Sequence, residues 1–502
     1  MFSMVNALKR LQKSFPFNHA FIADNAEPEN WSTHVDRVSR LSSGMFHNNI
    51  KSGDIFGILA VNSLDQATLI HSGYWSNQIA MPINFRLSDD EIGKILKKSG
   101  AQHLFVSGEF SHIARKIVND GWAGSIFGIG GNCDFSINTN KMIENFDGVD
   151  PLEMTEHDRA ILLFTGGTTG EGKGVMLSHR NIVSNGLQVS TSLAVTSNDK
   201  FLHVAPMFHS ADLLGTAVTL AGGCHSFVGQ PSPENIIQAI ISNNITMTMT
   251  PPVLLRGMIE SAKQLSEKIE KLRIFICGGS PVPLSLLTAG KKIFATASMV
   301  QGYGLTETSP IISFLNMDEA AKENNEECLE SSGKPLAGVD VKIVGKNDIG
   351  EVQVKGPNVF KGYFKNSDAT KKSFADGWFK TGDIGRFDKR GYLHILDREK
   401  DIIITGGENV YSVQVEQVLM EHPKVEEVAV IGLPDDKWGE RVVCIIVKSG
   451  GVELEVEELM VHCKEKIGSY KIPKTFYFHE SLPKTPLGKV LKGKLKDKLL
   501  NV

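Results

Sequence analysis

Residues 161–177, ILLFTGGTTGEGKGVML, constrain this chain more than any other stretch. Ile161 to Phe164 is an apolar run that reads as a buried strand. It enters a ten-residue loop, Thr165 to Gly174, that holds five glycines, three threonines and Lys173. Val175-Met176-Leu177 is a second apolar run. Glycines permit φ > 0 and close approach of the backbone. Successive N–H groups in such a loop form a concave anion site. The threonine hydroxyls add donors and Lys173 adds a positive charge, so the expected guest is a polyphosphate. A free surface loop of this composition needs no ligand, but this one is pinned between two buried runs.

Gly167 to Lys173 also fits G-x-x-x-x-G-K. The next residue is Gly174, where that motif needs a Ser or Thr for Mg²⁺. The loop also runs into a strand-like triplet, and the first helix start is Ser178, with Asn181 three residues on. A strand–loop–strand clamp is therefore expected.

A chain of 502 residues supports at least two domains and a large core. Before residue 150, Asp54 to Ala60, Ala80 to Ile83 and His103 to Val106 read as strands, and Leu64 to Trp75 as an amphipathic helix. Strand and helix in alternation give an α/β fold with doubly wound sheets. Residues 351–396 are β-rich, and a small α+β unit follows Asp397-Arg398-Glu399-Lys400-Asp401. There Ser412 to Leu419 reads as a helix, and Val425 to Gly432 and Val442 to Lys448 read as strands. The net charge of −4 gives no case for nucleic acid. No apolar run is long enough for a membrane helix. Six scattered cysteines, with no CxxC pair, fit reduced thiols in a cytoplasmic setting.

Three further stretches carry chemistry. In QGYGLTETSP, residues 301–310, Tyr303 offers a flat face for a purine, and Gly302 and Gly304 leave room beside it. Thr306 can donate to a phosphate, and Glu307 is a hard oxygen ligand suited to Mg²⁺. In LRIFICGGS, residues 272–280, a strand ends in Gly278-Gly279-Ser280, which permits close approach of a flat ring or an acyl chain. In WFKTGDIG, Asp383 follows a Gly turn and can accept two hydroxyls. Leu202 to Ala205 should end another strand at Pro206, leaving Phe208-His209 at a carboxyl end, where α/β proteins hold ligands.

TGGTTGEGKGVMLSHRN resembles the signature loop of the adenylate-forming (AMP-binding) superfamily, which includes acyl-CoA synthetases, amino-acid adenylation domains and luciferases. The resemblance spans nearly the whole chain and rests on five motifs in order. It implies a large domain, 1–397, and a small mobile domain, 398–502, hinged near Lys400. It carries nucleotide contacts over to Thr165, Gly166, Gly167, Thr168, Thr169, Gly170, Glu171, Gly172 and Lys173. Gly278, Gly279, Ser280, Gln301, Gly302, Tyr303, Gly304, Leu305, Thr306 and Ile395 would surround the adenine and phosphates. Asp383 and Arg398 would meet the ribose. Thr165, Glu307, His209 and Lys489 would be catalytic, with Glu307 holding the metal. The Gly406-Gly407 loop would serve a second, thioester-forming step.

The implied reaction joins a fatty or aromatic acid to AMP, releases pyrophosphate, and passes the acyl group to coenzyme A. ATP, Mg²⁺ and CoA are the implied cofactors, and a homodimer is compatible. Amino-acid adenylation domains typically carry Asp where this chain has His209, which argues against an amino-acid substrate, although Asp212 lies only three residues on. A carrier protein as acceptor and a non-catalytic binding module are the alternatives. The N-terminus, MFSMVNALKRLQKSF, is as basic as a presequence. The family-like pattern is under way by about Ala7, so a mature N-terminus is expected. A solvated basic tail is expected for Lys492 to Lys498.

Overall fold

The computed structural model describes residues 2–22, 27–165, 172–263, 269–450, 452–484 and 489–500. Two sheets form the large part of the molecule. The six-stranded one runs Ser125–Gly128, His103–Val106, Ile55–Leu59, Ile79–Pro82, Arg159–Thr165, Lys173–Ser178. Its first five strands are parallel and the last is antiparallel. The nine-stranded sheet has a parallel centre, with Lys200–His203, Met247–Thr250, Ile274–Gly278 and Ser298–Gly304 side by side. Helices cover both sheets because the central strands are buried on both faces.

The glycine-rich loop closes a hairpin, as its two apolar flanks require. Thr165 pairs with Lys173, Phe164 with Gly174 and Leu163 with Val175. The ladder therefore takes in Thr165, Lys173 and Gly174, and the loop is shorter than the sequence suggests. The helix His179–Leu193 begins after Ser178 with a reciprocal cap from Asn181. The strand expected to run to Ala205 stops at His203. Beyond it, the Asn62 side chain takes the carbonyls of His203 and Ala205, and Pro206 has no N–H to offer a ladder.

A β-rich unit follows. Asp340–Lys346, Ile349–Lys355, Trp378–Phe387 and Leu393–Arg398 pair antiparallel. The turn Glu399–Asp401 leads into the last part, where Val425–Asp435 and Gly439–Lys448 form a long hairpin backed by Ser412–Met420 and Val456–Lys464. The tail is more than a solvated face. Lys492 reaches Glu416 at 2.7 Å and Ser412 at 2.6 Å, and Lys496 reaches Glu440 at 3.1 Å. These pairs tie the helix Lys492–Leu500 to the hairpin and its helix. Among the described residues, no helix is long and apolar enough to cross a membrane.

The largest buried side chain in the main core is Trp31, 0% exposed and packed edge-on to Phe21 at 5.8 Å. Trp31→Ala should destabilise the large domain by about 3–5 kcal/mol. A lowered midpoint of its urea transition, read by far-UV circular dichroism, checks this.

Candidate active site

The nine-stranded sheet brings Gly278 and Gly302 side by side in register. A Cβ on Gly278 would come within 2.6 Å of the Gly302 carbonyl oxygen, so only glycine lets these two strands approach so closely. Gly279 turns the chain away at φ +86° into Ser280. Gln301, Tyr303 and Gly304 complete the Ser298–Gly304 strand. Tyr303, Leu305 and Ile395 pack against one apolar cluster and form a continuous wall.

Asp383 organises this wall. Tyr303 donates its hydroxyl to Asp383 Oδ2 at 2.7 Å. Arg398 Nε meets Oδ1 at 2.8 Å, from the directly paired position of the next strand. Thr381 Oγ1 accepts the Asp383 N–H at 3.0 Å and donates to the Val352 carbonyl at 2.7 Å. Burial first, and the Asp383 charge second, raise the Tyr303 pKa well above the ordinary phenol value, so Tyr303 stays a donor. Burial works against the Arg398 charge, yet Asp383 keeps its pKa above the usual guanidinium value.

A second node lies on the phosphate side. Tyr363 donates its hydroxyl to Glu307 Oε1 at 2.8 Å, and the Phe360 N–H donates to the Glu307 carbonyl at 2.8 Å. Lys173 Nζ sits 4.9 Å from the centre of the Tyr363 ring, a cation–π contact. One tyrosine thus relates the loop lysine to the buried glutamate. Among the described residues, Glu307 Oε2 takes no hydrogen bond, which fits a hard oxygen ligand for Mg²⁺. Thr306 Oγ1 lies 2.9 Å from Ser210 Oγ, linking this turn to the segment after His209. Thr165 and Gly172 stand at the mouth of the hairpin, where Lys98 Nζ donates to the Gly172 carbonyl at 3.0 Å. Gly166, Gly167, Thr168, Thr169, Gly170 and Glu171 lie outside the described residues.

His209 caps the short helical turn Ser210–Leu214. Its Nδ1 accepts the Ala211 N–H at 3.1 Å, so the proton of the neutral ring sits on Nε2. Burial lowers its pKa to about 4, with the Asp212 charge pulling the other way. Asp212 is committed elsewhere: its Oδ1 lies 2.6 Å from His203 Nδ1. That pairing engages one oxygen of the carboxylate that the sequence left open as an ammonium anchor.

Lys489 closes the site from the far end of the chain. The charges acting on its ammonium are Arg398, Asp383, Lys400 and Asp401. Much of its residue surface is exposed, yet the protein packed around the ammonium lowers its pKa to about 8. Arg398 and Lys400 lower it further, against Asp383 and Asp401. Gly406 and Gly407, at φ +60° and +84°, form the tip of the hairpin Ile403–Thr405/Glu408–Val410, where the Gly406 N–H donates to the Trp438 carbonyl at 2.7 Å. Tyr363, Thr381 and Ser210 are site residues that sequence reasoning missed. Tyr363 and Ser210 act through partners 56 and 96 positions away, which no local spacing announces, whereas Thr381 holds Asp383 only two positions on.

Residues 8–364 match the AMP-binding enzyme family, and residues 414–489 match the AMP-binding enzyme C-terminal domain. A feruloyl-CoA synthase of Amycolatopsis sp is 32% identical over 469 residues, 92% of each chain. A 2-succinylbenzoate–CoA ligase of Bacillus licheniformis is 33% identical over 463 residues, 89% of this chain and 90% of that one. The o-succinylbenzoate CoA synthetase of Bacillus subtilis, solved with its acyl-adenylate intermediate, has a TM-score of 0.87 at 28% identity, covering 98% of both chains. The same synthetase solved with ATP and magnesium ion gives 0.85 at 29% identity, covering 98% of this chain and 99% of that one.

Asp383→Ala removes a buried acceptor and leaves Arg398 without its carboxylate. ATP affinity, measured by calorimetry, should fall roughly 10- to 100-fold, the worth of a hydrogen bond to a charged group.

Proposed function

The chain belongs to the AMP-binding enzyme family, and we propose that the acid it activates is aromatic. It is an acid–thiol ligase of the AMP-forming type: it joins a carboxylate to AMP with release of pyrophosphate, then transfers the acyl group to coenzyme A. The preference for aromatic over fatty acids is supported by relatives named for ferulate and succinylbenzoate. The commitment of Asp212 to His203 speaks against an amino acid.

A carboxylate is a poor electrophile because oxide is a poor leaving group. Attack of its oxygen on the α-phosphorus of ATP converts that oxygen into part of a good one. Two anions must meet, so the residues act mostly by positioning and by positive charge. On this reading Tyr303 stacks on the adenine beside the Gly278–Gly302 gap. Asp383 accepts the ribose hydroxyls, with Arg398 holding the carboxylate in place. Lys173 and the Thr165–Gly174 loop receive the departing pyrophosphate. Glu307, oriented by Tyr363, would hold Mg²⁺, which supplies charge neutralisation at the phosphate oxygens. Lys489 bridges the acid and the α-phosphate as their charges converge. His209 forms part of the acid pocket as a neutral Nε2–H donor.

The observation that carries these roles is the convergence of Tyr303, Asp383, Arg398 and Lys489 on one locus. Residues 1–397 and 398–502 act as two domains that turn about Lys400, within the turn Glu399–Asp401. Rotation there withdraws Lys489 after the first step and presents the Gly406-Gly407 tip for the thiol step.

Pyrophosphate–ATP exchange over a panel of acids tests the substrate class. Hydroxycinnamic and benzoic acids should exceed fatty acids at least tenfold in kcat/KM, and the reverse order would reject the aromatic reading. Lys489→Ala should slow exchange roughly 100- to 1000-fold while still making thioester from preformed adenylate. With its pKa at about 8, Lys489 loses its proton as pH rises through that value. The kcat/KM of the first step should therefore fall above about pH 8, and in Lys489→Arg that limb should disappear because a guanidinium stays charged.

A further inference from the structure

The segment Val204–His209 runs from the end of the strand Lys200–His203 to the helical turn that His209 caps, and it has no regular ladder of its own. Its backbone polar groups still need partners. Asn62 supplies them from the other sheet, just past the carboxyl end of the strand Ile55–Leu59. Its Nδ2 donates to the carbonyls of His203 at 3.1 Å and Ala205 at 2.8 Å, and its Oδ1 accepts the Met207 N–H at 2.8 Å. Both donors and the oxygen of one carboxamide thus meet three of four consecutive peptide units in a segment 141–145 positions away. The two ends of the segment are fixed separately. His203 Nδ1 meets Asp212, and His203 Nε2 meets His225 Nδ1 at 3.0 Å. Ser210 meets Thr306. Phe85, just beyond the strand Ile79–Pro82, packs edge-on to the Phe208 ring at 5.2 Å, but among the described residues the hydrogen bonds from the six-stranded sheet to the backbone of the segment's middle come from Asn62, whose three bonds all need one orientation.

We propose that Asn62 is a positioning residue for acid selection: by clamping residues 203–207 to the six-stranded sheet, it sets where His209 stands relative to the nucleotide site. The proposal rests on the acid-activation reading above, in which His209 borders the acid. Asn62 itself touches neither substrate. Its removal frees the segment on one side while leaving the Tyr303–Asp383–Arg398 group, and hence nucleotide binding, intact.

Two variants and one control test this. Asn62→Asp keeps the acceptor for Met207 and loses both donors, and Asn62→Ala loses all three bonds. In both, amide hydrogen exchange across residues 207–212 should quicken at least tenfold, with the Ile274–Gly278 strand unchanged. The KM for the acid should rise tenfold or more, with the KM for ATP within twofold of wild type. The control is Ser63→Ala, which removes the side-chain cap of the helix Leu64–Trp75 next door without touching the clamp. It should lower thermal stability and leave the acid KM alone. Unchanged exchange at 207–212, an ATP KM that rises in step with the acid KM, or an equal acid effect in Ser63→Ala would each overturn the proposal. A wild-type protein that exchanges pyrophosphate with no acid would instead strike the activity reading, and the exchange measurement would then decide the clamp by itself.

Discussion

One buried carboxylate, Asp383, joins the nine-stranded sheet to the β-rich unit. Asp383 is 4% exposed, and a charge so placed is costly unless it is paired and hydrogen-bonded on every side. Tyr303 comes to it from the nine-stranded sheet, Arg398 from the last strand of the β-rich unit, and Thr381 from its own strand. Satisfying that charge therefore fixes the angle between two subdomains. The same carboxylate raises the Lys489 pKa against the burial that lowers it. A group that must be compensated makes an effective assembly point, because every misplacement of a partner leaves it unpaired.

The phosphate side follows the same logic with a phenol in place of a guanidinium. Tyr363 donates to Glu307 on one edge and carries Lys173 over its face. A neutral ring between an anion and a cation lets the two charges share a site without collapsing into a salt bridge. The reaction this family performs needs such restraint, since positive charge has to be present before the two anionic reactants arrive.

The segment around His209 is held differently, by hydrogen bonds in which Asp212 is the one carboxylate. His209, the His203–Asp212 pair, Ser210 and Asn62 join strand ends from both sheets through hydrogen bonds of 2.6–3.1 Å. The wall around Gly278, Gly302 and Tyr303 is built from sheet, so its shape follows from register. The segment around His209 is irregular, so its shape follows from side-chain contacts.

Much of this was legible in the linear chain. The Ile161–Leu177 pattern gave strand, glycine-rich loop and strand in order, and the structure pairs the two strands as a hairpin. Gly174 in place of Ser or Thr excluded the helix-linked phosphate loop, and Ser178 with Asn181 marked the next helix start to the residue. These are local rules of backbone freedom, burial and capping, and they act within a few positions. Tertiary structure alone decided that Tyr363 would serve Glu307, that Asp212 would be spent on His203, and that Asn62 would reach the strand end at His203. It also decided that Lys492 and Lys496 would pair with Glu416 and Glu440, while Lys489 would come under the charges of Arg398 and Asp383. The reason is physical: a side chain's role is set by which unsatisfied partner the packed sheets bring within 3 Å, and that distance is a property of the whole fold.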